Sequence, residues 1–246
     1  MSNDFVKGFT FISDRSDLVL NRLGSHLMLS AESVLIAVVI GVPLGVFLGH
    51  IHRFSFLAIN VSNIGRALPS VAVLAIFLPI FGIGDTDVII ALVILAAPPI
   101  LTNAYVAVDQ VDPDTVDAAK GIGLRPLQVL LKVEMPLALP LIFAGIRTST
   151  VFVVATATLA GIFGGGGLGD IIANRESFGL DGVIGASYVL IALAFASQLL
   201  FISFEKLITP RGLRGTRQAA PGRLRRQGAA ALPGRGVPAA LETQPE

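Results

Sequence analysis

Long apolar runs dominate the chain, and short polar stretches separate them. The runs at about Ser25–Gly49, Phe56–Phe81, Thr86–Val108, Pro136–Phe163 and Val183–Phe204 are each long enough to cross about 30 Å of hydrocarbon as a helix, which takes roughly 20 residues. The second run is interrupted by Arg66 and Pro69, the third by Pro98 and Pro99, and the fourth by Pro140 and Arg147. Residues 1–23 precede them. There Phe5–Ile12 is apolar but far too short to span, with Lys7 inside it, and reads as an interfacial segment. Residues 24–208 form the membrane domain. Residues 209–246 are rich in Arg, Ala, Gly and Pro and lack the large apolar residues of a core, so a disordered basic tail is expected. The pattern predicts an all-α membrane protein of about five transmembrane helices, with its termini on opposite sides.

Composition sharpens this picture. Hydrophobic residues make up 53% of the 246 and charged residues 14%, against about 25% charged in soluble domains. Mean hydropathy is +0.78. The net charge of +1 carries no polyanion signal, so no nucleic acid is expected as a partner. Cysteine is absent, which removes disulfides, thiolate metal sites and cysteine nucleophiles together. Basic residues favour one set of loops (His50, His52 and Arg53, then Lys120, Arg125 and Lys132, then the tail), and the opposite set holds Asp85, Asp87, Asp170, Arg175, Glu176 and Asp181. Basic loops stay cytoplasmic. The expected arrangement is therefore a multi-pass membrane protein, N-terminus outside and C-terminus inside.

The longest polar interruption before the tail is Val111–Pro136, VDPDTVDAAKGIGLRPLQVLLKVEMP. Asp112-Pro113 is a helix start: a capping carboxylate, then a proline whose missing N–H costs nothing at the first position. Asp114 adds negative charge near the positive end of the helix dipole. Val116, Ala119 and Ile122 recur every three residues. Ala118 and Ala119 are small enough for a partner surface to approach the backbone. Gly121 and Gly123 suit the end of the helix, and Pro126 and Pro136 frame a second helical piece.

Other features carry less chemistry. Gly164–Gly169 (GGGGLG) formally matches a dinucleotide fingerprint, but a membrane run precedes it where a strand is required; a flexible or re-entrant outer loop is expected. Glu32, Arg66 and Arg147 lie at membrane depth, where an ionisable group costs about 2.5–3.5 kcal/mol at a helix centre. They either line a path or pair to hold the bundle, and Glu32 with Arg66 is a candidate pair. Gly41, Gly45 and Gly49 form a small-xxx-small stripe suited to helix packing. His26, His50 and His52 lack metal-ligand spacing and read as interfacial. No catalytic, metal-binding or cofactor-binding pattern appears, and no nucleotide-binding lysine loop.

Asp117-Ala118-Ala119, then Gly123, then Val133-x-Met135-Pro136 resembles the EAA loop of ABC importer permeases, with all intervals kept and Asp, Val and Met standing for Glu, Ile and Leu. Ile40–Gly45, Arg66–Gly84, Val111–Gly123 and Gly145–Asp170 look like the glycine betaine/carnitine/choline/proline-type permeases. The resemblance implies a type I ABC importer permease fold with a cytoplasmic coupling helix, and uptake of osmoprotectants. It implies coupling through Val116, Asp117, Ala118, Ala119, Lys120, Gly121, Gly123 and Pro136, with Val116 and Ala119 in the packed contact. The implied partners are cytoplasmic ATPase subunits that hold the ATP, a second permease copy or paralogue, and an extracytoplasmic substrate-binding protein. Pathway or bundle candidates are Glu32, Arg66, Pro69, Phe77, Phe81, Arg147, Thr150 and Thr156. A methionine- or sulfonate-type permease, a self-contained secondary transporter or channel, and a scaffold that recruits a partner through the loop are the other readings.

Overall fold

The structure is a computed structural model that describes residues 2–52, 56, 60, 63–65 and 67–208. Arg66, the tail 209–246 and part of the expected second span lie outside the described residues. In chain order the helices are α1 (Ser2–Asp14), α2 (Ser16–His50), α3 (Ser70–Phe81), α4 (Asp85–Asp109), α5 (Pro113–Gly121), α6 (Pro126–Val129), α7 (Met135–Thr156), α8 (Leu168–Ala173) and α9 (Arg175–Ile208). A π turn, Leu130–Glu134, joins α6 to α7, and a 3-10 turn, Ala157–Phe163, follows α7.

Among the described residues, four helical stretches are long and apolar enough to cross a membrane: Ser16–His50, Asp85–Asp109, Pro126–Phe163 and Arg175–Glu205. The second expected span differs. Its described helix α3 is Ser70–Phe81, a rise of about 18 Å at 1.5 Å per residue, short of the hydrocarbon thickness. Pro69, at φ −68° and ψ 120°, is its extended N-cap. Proline disfavours helix in the residue before it, which sets the boundary there.

The first span also differs, because α2 begins at Ser16 rather than Ser25. Asn21, Arg22, Ser25 and His26 lower local hydropathy without breaking the helix. Prolines 98 and 99 likewise leave α4 unbroken. The last helix begins at Arg175 rather than Val183 and bends at Gly179, whose φ of 68° suits a residue without a Cβ.

The glycine stripe forms the central seam. A Cβ at Gly41 would lie 3.1 Å from Ile100, one at Gly45 would collide with the Leu101 carbonyl, and one at Gly49 would lie 2.7 Å from the Tyr105 carbonyl oxygen. The partner residue advances along α4 as the glycine advances along α2, so the two helices run parallel. Helix α7 runs the other way: Gly145 abuts Asn103, while Ser149 donates to the Ala96 carbonyl at 3.1 Å. Val34, Ala37, Leu74, Leu92, Leu95 and Val153 are buried together at the centre. Helix α1, expected at the interface, is held against α9: Phe9 stacks on Tyr188 with centroids 4.8 Å apart, and Gly8 lets Ile184 approach.

Crowding and open space on one helix give a paired test. Gly45→Val is expected to destabilise the protein by about 1–3 kcal/mol through overpacking. Gly24→Ala, where a Cβ would meet nothing within 4 Å, should be neutral or stabilise by up to about 1 kcal/mol through higher helix propensity. Thermal unfolding of the detergent-solubilised variants measures both.

Candidate functional site

The loop after α4 folds as a small unit with its own core. Asp112 caps α5: its Oδ1 accepts the Asp114 N–H at 3.0 Å, its Oδ2 accepts the Thr115 hydroxyl at 3.4 Å, and Pro113 occupies the first turn. The helix closes in a Schellman motif. The Leu124 N–H reaches the Ala119 carbonyl at 3.2 Å and the Gly123 N–H the Lys120 carbonyl at 2.9 Å, with Gly123 left-handed at φ 89°. Gly121, the other candidate terminator, stays inside the helix. The Arg125 N–H then donates to Gln128 Oε1 at 2.9 Å, and Pro126 starts α6.

The apolar face of α5 points inward. Val116 and Ala119 are buried with Val111 and Val129, and Leu124 and Val133 close the cluster. The expected packed contact with a partner through Val116 and Ala119 is therefore corrected: these side chains hold the loop together. On a nine-residue helix a three-residue spacing marks an apolar face without saying whether chain or partner covers it. The outward surface carries Asp117, Ala118, Lys120, Gly121 and Gly123, all exposed, with the Lys120–Asp117 pair at 3.1 Å. Ile122 at 82% and Leu127 at 64% exposure are its apolar projections.

The loop returns to the bundle through the π turn. Pro136 lies in the first turn of α7 and lacks the N–H that a regular helix would donate back one turn. The wider π spacing relieves that mismatch. It also turns Glu134 inward, where the residue is 1% exposed and its Oε2 lies 2.6 Å from His50 Nδ1. Beside it, His52 Nδ1 lies 3.0 Å from Asp109 Oδ1. Sequence reasoning missed both contacts. The signal was a pair of histidines at the end of one apolar run and a carboxylate at each flank of the loop, which only the helix register brings together.

The remaining candidates are dispersed. Arg147 pairs with Glu205 at 2.9 Å, tying α7 to α9. Glu32 is exposed on α2 and has no ion-pair partner among the described residues, and its candidate partner Arg66 lies outside them. Phe77 packs partly against the core, with its ring 6.1 Å from that of the exposed Phe81. Thr150 donates to its own helix at Ile146, and Thr156 is buried.

His26 is not interfacial. The earlier start of α2 carries it into the bundle, fully buried, where its Nε2 donates to the Val154 carbonyl at 2.9 Å. Around it the glycine-rich segment is packed rather than loose. A Cβ at Gly167 would lie 3.1 Å from His26 Nδ1, and Gly161 and Gly169 press backbone against backbone. Arg22 closes this end on Asp170 at 2.6 Å.

Residues 41–212 match the family described as the binding-protein-dependent transport system inner membrane component. The chain is 36% identical over 212 residues to the glycine betaine/carnitine/choline transport system permease protein OpuCB of Bacillus subtilis, covering 86% of this chain and 98% of that one. It is 36% identical to the choline transport system permease protein OpuBB of the same organism, over 83% of this chain and 94% of that one. It is 33% identical to the carnitine transport permease protein OpuCB of Listeria monocytogenes, over 85% and 96%. Among solved structures, the inward-facing MetNI methionine ABC transporter shares the fold, with a TM-score of 0.69 at 24% identity over 78% of this chain and 97% of that one.

Removing the cap should loosen the loop locally. Asp112→Ala is expected to cost about 1 kcal/mol. Hydrogen exchange should show the amides of Asp114–Val116 exchanging roughly fivefold faster, with α4 and α7 unchanged.

Proposed function

The chain belongs to the family of binding-protein-dependent transport system inner membrane components, and from that membership we propose that it is the permease through which an ATP-driven importer takes up osmoprotectants such as glycine betaine, choline or carnitine. The observation that carries the mechanism is the separately folded, capped loop with two apolar side chains aimed away from its own core. Such a unit has the form of a docking knob. Its partner is a cytoplasmic ATPase subunit, which holds the ATP. A second permease copy or paralogue completes the pathway, and an extracytoplasmic binding protein delivers the solute. The loop faces the cytoplasm, the N-terminus lies outside, and the basic tail 209–246 lies inside.

Energetics favour apolar docking. Swinging a two-state equilibrium from 1:99 to 99:1 takes about 5.5 kcal/mol. An exposed ion pair such as Lys120–Asp117 contributes at most about 1 kcal/mol. Burying a side chain the size of Ile or Leu contributes about 1.5–3 kcal/mol. Ile122 and Leu127 from each of two loops therefore cover the requirement, with Ala118 and Gly121 letting the partner approach the backbone and Asp117 and Lys120 setting register. Gly123 closes α5 on the outward side, and Pro136 lies in the first turn of α7 behind the knob.

Uptake of labelled glycine betaine into proteoliposomes tests the assignment. Flux should require the ATPase, ATP and the binding protein together; flux through the chain alone would make it a channel or secondary transporter. Ile122→Asp should leave the permease folded, because that side chain is 82% exposed, yet weaken ATPase binding at least about tenfold. Wild-type affinity in that variant would remove the docking role of Ile122. The chain's lack of cysteine makes topology directly measurable. Thr115→Cys should react with a membrane-impermeant thiol reagent only from the cytoplasmic side.

A further inference from the structure

The two feet of the loop rest on one three-residue tip. Asp109 is the last residue of α4, just before the loop; Glu134 is the last residue of the π turn, just before α7. Their carboxylates meet His52 and His50, 3.0 and 2.6 Å away. His50 ends α2, and His52 follows in a left-handed conformation at φ 49°. That conformation is uncommon for a residue with a side chain and worth a functional explanation. It turns the chain back so that the second ring reaches Asp109. Gly49 fixes the tip in place, since a Cβ there would lie 2.7 Å from the Tyr105 carbonyl oxygen and 2.9 Å from Val108.

The two contacts differ in burial. Glu134 has a side-chain exposure of 2% and His50 22%, against 34% and 54% for Asp109 and His52. A short, desolvated, charge-assisted hydrogen bond is the stronger kind, and removing one partner strands the other. An exposed pair contributes little by itself. The π turn supplies the geometry on one side and the glycine seam on the other.

We propose that His50 and Glu134 are positioning residues for transport: together with His52 and Asp109 they staple both ends of the loop to α2, so that displacement of α5 moves the loop, α2 and α4 as one body. This rests on the docking reading above. Without the staple, the loop could tilt on its feet and a partner's movement would be lost in it.

The test uses the full permease with its ATPase and binding protein in proteoliposomes, and reads ATP hydrolysed per glycine betaine taken up. His50→Ala and Glu134→Ala should each raise that ratio about tenfold, in keeping with loss of a buried charge-assisted bond. His50→Gln, which keeps an N–H donor, should stay near wild type, as should the exchanged pair His50→Glu with Glu134→His. His52→Ala should change the ratio by no more than about twofold. Should the alanine variants fail to insert, hydrogen exchange of the permease alone carrying His50→Gln or the exchanged pair reads the staple instead, with protection at Leu130–Glu134 expected as in wild type; loss of that protection would overturn the proposal. An unchanged ratio in His50→Ala and Glu134→Ala, with Ile122→Asp uncoupled, would overturn the staple and leave the docking reading standing. Uncoupling by the staple variants with Ile122→Asp silent would keep the staple and remove the docking site.

Discussion

Backbone contact between α2 and α4 is the constraint on which the arrangement depends. Lipid tails are as apolar as leucine, so helices in a bilayer associate through close packing rather than through escape from water. Three glycines in one stripe allow that packing. They fix the register of two parallel helices, and the register brings the end of α2 level with the end of α4. Asp109 and His52 meet for that reason, as do the buried Val34, Ala37, Leu92 and Leu95 at the centre. A seam with Cβ atoms would hold the helices further apart and leave the tip of α2 out of reach of the loop.

The loop adds a second, smaller fold to the first. Its cap, its Schellman closure and its four buried side chains are short-range devices, and most were legible in the sequence. Asp112-Pro113 announced the start and Gly123 the end, because each needs a particular residue type at a particular backbone angle. The direction of the apolar face was not legible: Val116 and Ala119 read the same whether a partner or the chain itself covers them. Glu134 was hidden for a different reason. A π turn shifts the phase of the helix, so regular spacing assigns the side chain to the wrong side.

The membrane helices were legible as to existence and less so as to extent. Hydropathy located the four long helices but clipped α2 and α9 where polar residues continue a helix, at Arg22 and His26 in one and before Gly179 in the other. His26 shows the consequence. Near a basic residue at the edge of an apolar run, a histidine reads as interfacial, and moving the helix start to Ser16 places it inside the bundle against the Val154 carbonyl. The glycine-rich segment misled similarly. Glycine suits mobile loops and tight packing alike, and Gly161, Gly167 and Gly169 are here because neighbouring atoms leave no room for a Cβ.

The π turn has a consequence for how this chain tolerates length changes. Five residues, Leu130–Glu134, follow a path that admits one more residue than regular α geometry would. Deleting a single residue there lets the segment relax to ordinary pitch with its two flanks still in phase, whereas the same deletion inside α7 swings everything upstream by about 100° around the helix axis. A substitution at the same place removes one side chain and leaves the phase intact. This short segment can therefore give up a residue where the regular helix beside it cannot, and what such a loss removes is the inward turn of Glu134.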